Sequence, residues 1–171
     1  MYQHILLAVA LQRWDTVSPY ALVAREVAVA LAQGAGAKLS VLSVYDYELW
    51  SVYGDDRLMP PGLPPELVTG YWEDYRHAID AMMAAKMEVF LAGIRGVDLP
   101  ITSILAVGEP RATIVAMAET LRADLLIIGT HSKRNVFKVV LGGTAAHVSR
   151  HTACPVLMVK PGERPMSLVR A

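Results

Sequence analysis

Apolar residues in this chain gather into short unbroken runs, separated by longer stretches where they recur every three or four positions. Ile5-Leu6-Leu7-Ala8-Val9-Ala10 is the first run, and its continuity suits a parallel strand buried on both faces. A polar loop follows from Gln12 to Val17. Ser18 then has the character of an N-cap and Pro19 of a first helical residue. Leu22, Val23, Val27, Ala30 and Leu31 continue at helical spacing, and Gly34 is expected to end the helix. Lys38 to Tyr45 reads as a second strand. Asp46 to Glu66 reads as irregular, because Met59-Pro60-Pro61-Gly62-Leu63-Pro64-Pro65 excludes both regular helix and central strand.

A long helix is expected from near Pro65 to Ile94. Its stripe of Val68, Trp72, Tyr75, Ile79, Met82, Met83, Met87 and Phe90 suits docking on a sheet better than a ligand box. Ile101 to Val107 is a third strand, and Gly108-Glu109-Pro110 turns it into a helix that ends near Leu121. Leu125 to Ile128 is a fourth strand, Thr144 to His151 a helix and Pro155 to Val159 a fifth strand. Strands alternating with helices predict an α/β fold with a parallel, doubly wound sheet and helices on both faces.

Length and composition narrow the class further. The chain of 171 residues suits one domain, taken as residues 1–160, with residues 161–171 as a tail. Hydrophobic residues make up 54%, which suits a well-filled core. Lys+Arg and Asp+Glu both number 16, so charge gives no pull toward nucleic acid or a membrane surface. Cys154 is the single cysteine and falls in an apolar strand pattern, so no intrachain disulfide forms and a reducing compartment fits. The run from Ile5 to Leu11 lacks a basic leader and a cleavage site. No apolar run approaches the roughly 20 residues of a membrane span. A cytoplasmic location is expected.

Ligands of such sheets bind beyond the carboxyl ends of the strands, where strand order reverses. Two loops qualify: Ala10 to Val17, and Gly129 to Gly143. The second has the better chemistry for an anion. Gly129 lets the chain turn, Gly142 and Gly143 let the backbone approach a ligand, and the next helix presents free N–H groups. Lys133, Arg134 and Lys138 add positive charge. On the residues alone, a plain turn with solvated lysines stays equally open.

From His4 to Lys160 the sequence resembles the universal stress protein (UspA-like) family. The marks are Ala123-Asp124-Leu125-Leu126-Ile127-Ile128-Gly129-Thr130-His131-Ser132, Leu141-Gly142, and His151-Thr152-Ala153-Cys154-Pro155-Val156-Leu157-Met158-Val159. Gly108-Glu109-Pro110 and His4-Ile5-Leu6-Leu7-Ala8-Val9 add to them. The resemblance implies a five-stranded Rossmann-like sheet of order 3-2-1-4-5. It also implies a homodimer paired through Pro155, Val156, Leu157, Met158 and Val159, and in many members ATP or another adenine nucleotide.

Nucleotide-binding members carry G-x-x-G, nine residues, then G-[S/T]. Here Gly129 and Gly142 match, Ser132 replaces the second glycine, and Gly143 stands where the Ser/Thr belongs, with Thr144 one residue later. The family's aspartate after the first strand is replaced by Ala10, with Asp15 nearby in a longer loop. The resemblance implies a site, where retained, of Ala8, Ala10, Val44, Ile128, Gly129, Thr130, His131, Ser132, Lys133, Arg134, Gly142, Gly143 and Thr144. Val44 backbone would meet the adenine, Gly129 the ribose, and Ser132, Lys133, Gly142, Gly143 and Thr144 the phosphates. A side chain in place of a positive-φ glycine costs about 1–2 kcal/mol. A lost carboxylate contact costs about 1–3 kcal/mol. Together they weaken binding by roughly ten- to several-thousand-fold.

Other chemistry finds little support. His147 and His151 are four apart on a helix, but neither they nor His131 has a convincing third metal ligand in sequence. Ser18, Ser40, Ser43 and Ser103 lack a nucleophile elbow, and Cys154 is expected to be buried and inert. No catalytic residue and no metal site is assigned. Three readings follow: a non-enzymatic stress-response regulator binding ATP or AMP; a nucleotide-free dimeric module holding unknown protein partners through its dimer surface and Trp50 and Tyr53; and a slow ATPase, which lacks a fixed general base.

Overall fold

The computed structural model describes residues 2–11, 17–47, 65–129, 133–135, 138–140 and 143–160. In chain order the elements are β1 (His4–Val9), α1 (Pro19–Ala35), β2 (Lys38–Tyr45), α2 (Pro65–Ala92), β3 (Ile101–Val107), α3 (Pro110–Thr120), β4 (Leu125–Gly129), β5 (Lys133–Asn135), β6 (Lys138–Val140), α4 (Gly143–His151) and β7 (Val156–Val159). The main sheet has five parallel strands in the order β3-β2-β1-β4-β7, which is the expected 3-2-1-4-5 arrangement. In register, β1 lies between β2 and β4, with Leu7 opposite both Val41 and Ile127.

The unbroken apolar runs follow from this placement, since both faces of the sheet are covered. Ile5, Leu7, Val41 and Ile127 pack with Ala24 and Ala28 of α1 and with Met83 and Phe90 of α2. Leu6, Ala8, Leu42 and Leu126 pack on the other face with Ile114 and Ala118 of α3 and with Ala145 and Val148 of α4. Each fully buried large side chain contributes about 1.5–3 kcal/mol. Of the aromatic and methionine stripe of α2, Tyr75, Ile79, Met83, Met87 and Phe90 are buried as its spacing predicts, Trp72 and Met82 are half-buried against the same core, and the Val68 side chain lies outside the described ones.

Helix ends are set by local chemistry. Ser18 caps α1 by accepting from the Ala21 N–H at 3.2 Å, ahead of Pro19. Glu109 caps α3 in the same way, from Ala112 at 2.8 Å. The stop expected at Gly34 falls two residues later. Gly36 adopts φ 64°, which a side chain resists, and its N–H reaches Ala32 and Gln33 carbonyls. α2 ends at Ala92 rather than Ile94. Arg25 of α1 donates from Nη1 to the Phe90 carbonyl at 2.5 Å, and its guanidinium occupies the space a side chain at Gly93 would need. A cation there also complements the helix's negative end.

Three further differences stand out. The segment after β4, expected to be a plain loop, contains an antiparallel hairpin that pairs Lys133 with Val140 and Asn135 with Lys138. The final strand begins at Val156, after Pro155. Cys154 therefore precedes the strand, half-buried, with Thr152 Oγ1 3.4 Å from its sulfur. At the amino end of the sheet, His4 is buried, with Nδ1 2.9 Å from the Leu121 carbonyl and Nε2 2.8 Å from Ser40 Oγ. Among the described residues, no helix is long and apolar enough to cross a membrane.

Candidate functional site

β1 connects to a strand on one side and β4 lies on the other, so the sheet's switch point is between their carboxyl ends. The site is built there. Ala8, Val44 and Ile128 come from three neighbouring strands and belong to one cluster closed from above by Ala145 of α4. Their side chains are buried, so these three positions form a packed floor. Ala10 is exposed at the exit of β1.

Gly129 closes β4 at a place where a side chain would be crowded. A Cβ there would lie 3.1 Å from the Tyr20 carbonyl oxygen in the first turn of α1. The atom it would meet is helix backbone rather than a flexible side-chain end, so the glycine eases the close approach of α1 to the strand end. Gly143 opens α4, with Thr144 next to it half-buried. The four N–H groups of a helix's first turn lack intrahelical partners and carry the positive end of its dipole.

One cation at this helix start is not among the residues the sequence assigns to the site. Arg111, in the first turn of α3, carries its guanidinium over Gly143, with Nη2 3.0 Å from where a Cβ would stand. Glu109 holds it from below, Nε to Oε1 being 3.8 Å. Desolvation pulls the Glu109 carboxyl upward. Hydrogen bonds from the Ala112 and Arg111 backbone, with the charges of Arg111 and His147, more than offset this and hold it below the usual glutamate range. The signal was present in the sequence: an arginine in the first turn of a helix works against that helix's own dipole, which invites another explanation.

The exits of β1 and β2 are each held by α2. Lys86 donates to the Leu11 carbonyl at 3.3 Å. Asp80 Oδ1 accepts from the Tyr45 hydroxyl at 2.6 Å and the Tyr47 hydroxyl at 2.7 Å. Burial first, then the bond to Asp80 and its charge, push both phenols above the ordinary tyrosine range, so both remain donors. Only the stripe's apolar members carry a signal in the sequence, and it is one of core packing. Asp80 and Lys86 lie between them and gave no signal.

The remaining expected residues divide plainly. Thr130, His131, Ser132 and Gly142 lie outside the described residues, as do Asp15, Trp50 and Tyr53. Lys133 and Arg134 are placed by backbone alone, in β5 opposite Val140 and Val139. Val156, Leu157 and Met158 are half-buried on the sheet's edge strand, Val159 is buried and Pro155 exposed. His147 and His151 stack with ring centroids 4.0 Å apart, and His151 Nδ1 lies 2.8 Å from the His147 carbonyl. Among the described residues, no group of three or more His, Cys, Asp and Glu is placed to hold a metal.

A family model described as the universal stress protein family matches residues 1–160. A universal stress protein of Methanocaldococcus jannaschii is 32% identical over 124 residues, 71% of this chain and 70% of its own. The structure of a second Methanocaldococcus jannaschii protein, MJ0577, superposes with a TM-score of 0.68 at 23% identity, over 96% of this chain and 99% of its own. A universal stress protein family structure from Arabidopsis thaliana with AMP bound has a TM-score of 0.57 at 18% identity, over 96% and 97% of the two chains.

Proposed function

Because the chain belongs to the universal stress protein family, we propose that it binds an adenine nucleotide, AMP or ATP, across the carboxyl ends of β1, β2 and β4. On this reading it is a non-enzymatic, cytoplasmic regulator of the stress response, paired as a homodimer along β7. One domain, residues 1–160, carries the site.

The observation that carries the reading is the guanidinium of Arg111 over Gly143 at the start of α4. A cation and a helix N-terminus converge beside the switch point, where an α/β sheet presents its ligand site. The relative with AMP bound supports the choice of nucleotide through its shared fold. Phosphate groups would lie against the first turn of α4, at Gly143 and Thr144, with Gly142, Ser132 and Lys133 assigned to them by the family resemblance alone. The base would lie at the exit of β2, near Val44 main chain, and the ribose over Gly129.

Ala10 favours a second reading. A methyl group at the exit of β1 makes no hydrogen bond to a ribose, so the nucleoside loses one anchor. A nucleotide-free dimeric module is the reading this supports. Equilibrium dialysis of the full chain against labelled ATP and AMP separates the two. Saturable uptake of one nucleotide per chain at or below millimolar concentration is expected, and its absence at millimolar ligand refutes the nucleotide reading.

A further inference from the structure

α2 does more at the site's edge than cover the sheet. Two of its charged side chains, six residues apart, each reach the exit of a different strand. Lys86 ties the carbonyl of Leu11 after β1, and Asp80 ties Tyr45 and Tyr47 at and beyond the end of β2. The second tie is the more unusual, since two phenols share a single carboxylate oxygen.

The β2 exit is gripped from several directions. The Tyr45 side chain is buried against α2, while its neighbour Val44 faces the opposite side of the sheet. The Tyr45 carbonyl accepts from the Gly108 N–H at 2.9 Å. The Tyr75 hydroxyl reaches the Tyr47 carbonyl at 3.4 Å, and the Arg76 guanidinium lies 5.7 Å from the Tyr47 ring centroid. The Tyr45 and Tyr47 rings meet edge to face at 5.8 Å. Filling space here would need only apolar side chains, and a partly desolvated carboxylate is a poor choice for adhesion alone. Its advantage is directional: two short hydrogen bonds to a charged acceptor define where the chain leaves the sheet.

We propose that Asp80 is a positioning residue for base recognition, fixing the main chain of residues 44–46 at the height where the purine edge is read. This rests on the nucleotide reading above. Asp80 touches no ligand and acts through Tyr45 and Tyr47. The phosphate end, set by α4 and Arg111, lies on separate elements and is independent of it.

The test is isothermal titration of the full chain with adenosine, ATP and inorganic tripolyphosphate, for wild type, Asp80→Ala, Asp80→Asn and Tyr47→Phe. Asp80→Ala is expected to weaken adenosine and ATP by about tenfold, the equivalent of one hydrogen bond to a charged group. Tripolyphosphate affinity is expected to stay unchanged. Asp80→Asn keeps an acceptor oxygen in place and is expected to restore binding to within about threefold of wild type. Tyr47→Phe removes one hydroxyl with little change in shape, and gives a smaller loss for adenosine and ATP, with tripolyphosphate unchanged, should Asp80→Ala not fold. Absorbance titration of the phenols at alkaline pH reports that the tie is cut, because Tyr45 and Tyr47 then ionise more easily. Equal weakening of adenosine and tripolyphosphate overturns the proposal, as does unchanged adenosine binding in a folded Asp80→Ala. A wild-type chain that takes up neither adenosine nor ATP refutes the nucleotide reading as well, whereas normal wild-type uptake with an indifferent variant refutes only the role of Asp80.

Discussion

Replacing Gly143 with alanine is expected to strengthen the fold and weaken the ligand site together. The new Cβ would stand 3.0 Å from Arg111 Nη2, closer than an ordinary van der Waals contact. The atom it meets is the end of a flexible side chain, so the guanidinium swings away at small cost. Alanine restricts the unfolded chain more than glycine and fits this backbone, a gain of about 0.4–1 kcal/mol, which would raise the melting temperature by up to about 2–4 °C in a chain of this size. The displaced guanidinium loses its place beside the anion. A hydrogen bond to a charged group is worth about 1.5–3 kcal/mol, but the Arg111 side chain is 53% exposed, so solvent screening reduces this. About 1 kcal/mol remains, a loss of roughly fivefold in ATP affinity. Thermal melting and calorimetric titration with ATP at low and moderate salt measure both effects. Arg111→Gln should reproduce the affinity loss without the gain in stability, and the double variant should be little worse than either single one. Undiminished ATP affinity in Gly143→Ala, with Arg111→Gln equally indifferent, would show that the guanidinium does not face the anion.

Two predictions concern the sheet itself. Burial is the main influence holding His4 below its ordinary pKa of 6.5, aided by Lys38 and opposed by the Leu121 hydrogen bond and Asp124. The unfolded chain therefore takes up a proton there before the folded one does. This contribution to stability is complete above about pH 6.5 and declines as pH falls toward the lower folded value. Urea midpoints should drop between about pH 7 and 5 and flatten in His4→Gln, and equal pH slopes in the two proteins would contradict the assignment. Ser43 and Ser40 should respond oppositely to alanine. Ser43 Oγ is fully buried with no hydrogen-bond partner among the described residues, so Ser43→Ala should be neutral or stabilising by about 1 kcal/mol. Ser40→Ala strands the His4 Nε2 partner and should cost about 1–2 kcal/mol, and a loss at Ser43 as large as that at Ser40 in denaturant midpoints would refute the contrast.

Much of the architecture was legible because both-sided burial leaves a direct trace in sequence. The strand Lys38–Tyr45 and the strand Ile101–Val107 were readable to the residue, as was the Ser18-Pro19 helix start. The helix end at Gly36 was misplaced because Gly34 offers the same chemistry, and only backbone geometry decides which glycine takes positive φ. The hairpin of Lys133–Asn135 and Lys138–Val140 was hidden because its strands are three residues each, too short for a periodicity. At the site, Gly129 and Gly143 could be singled out as small, but the neighbours that require them, Tyr20 and Arg111, lie 109 and 32 residues away in sequence. Asp80 was invisible for a related reason. A carboxylate on an exposed-looking helix position is ordinary until the fold brings two tyrosines to it.

Pairing of β1 with β4 has a consequence for how the protein is made. Ile5 sits beside Leu125, so some 120 residues separate the two central strands. A ribosome must release the chain as far as residue 125 and beyond before that seam can close. Until then β1 has one bare hydrogen-bonding edge and an apolar surface facing the cellular milieu, the condition under which nascent chains stick to each other. Contacts this distant in sequence also close slowly. Truncated or stalled products ending before residue 125 should accordingly depend on chaperones, and the finished protein should not.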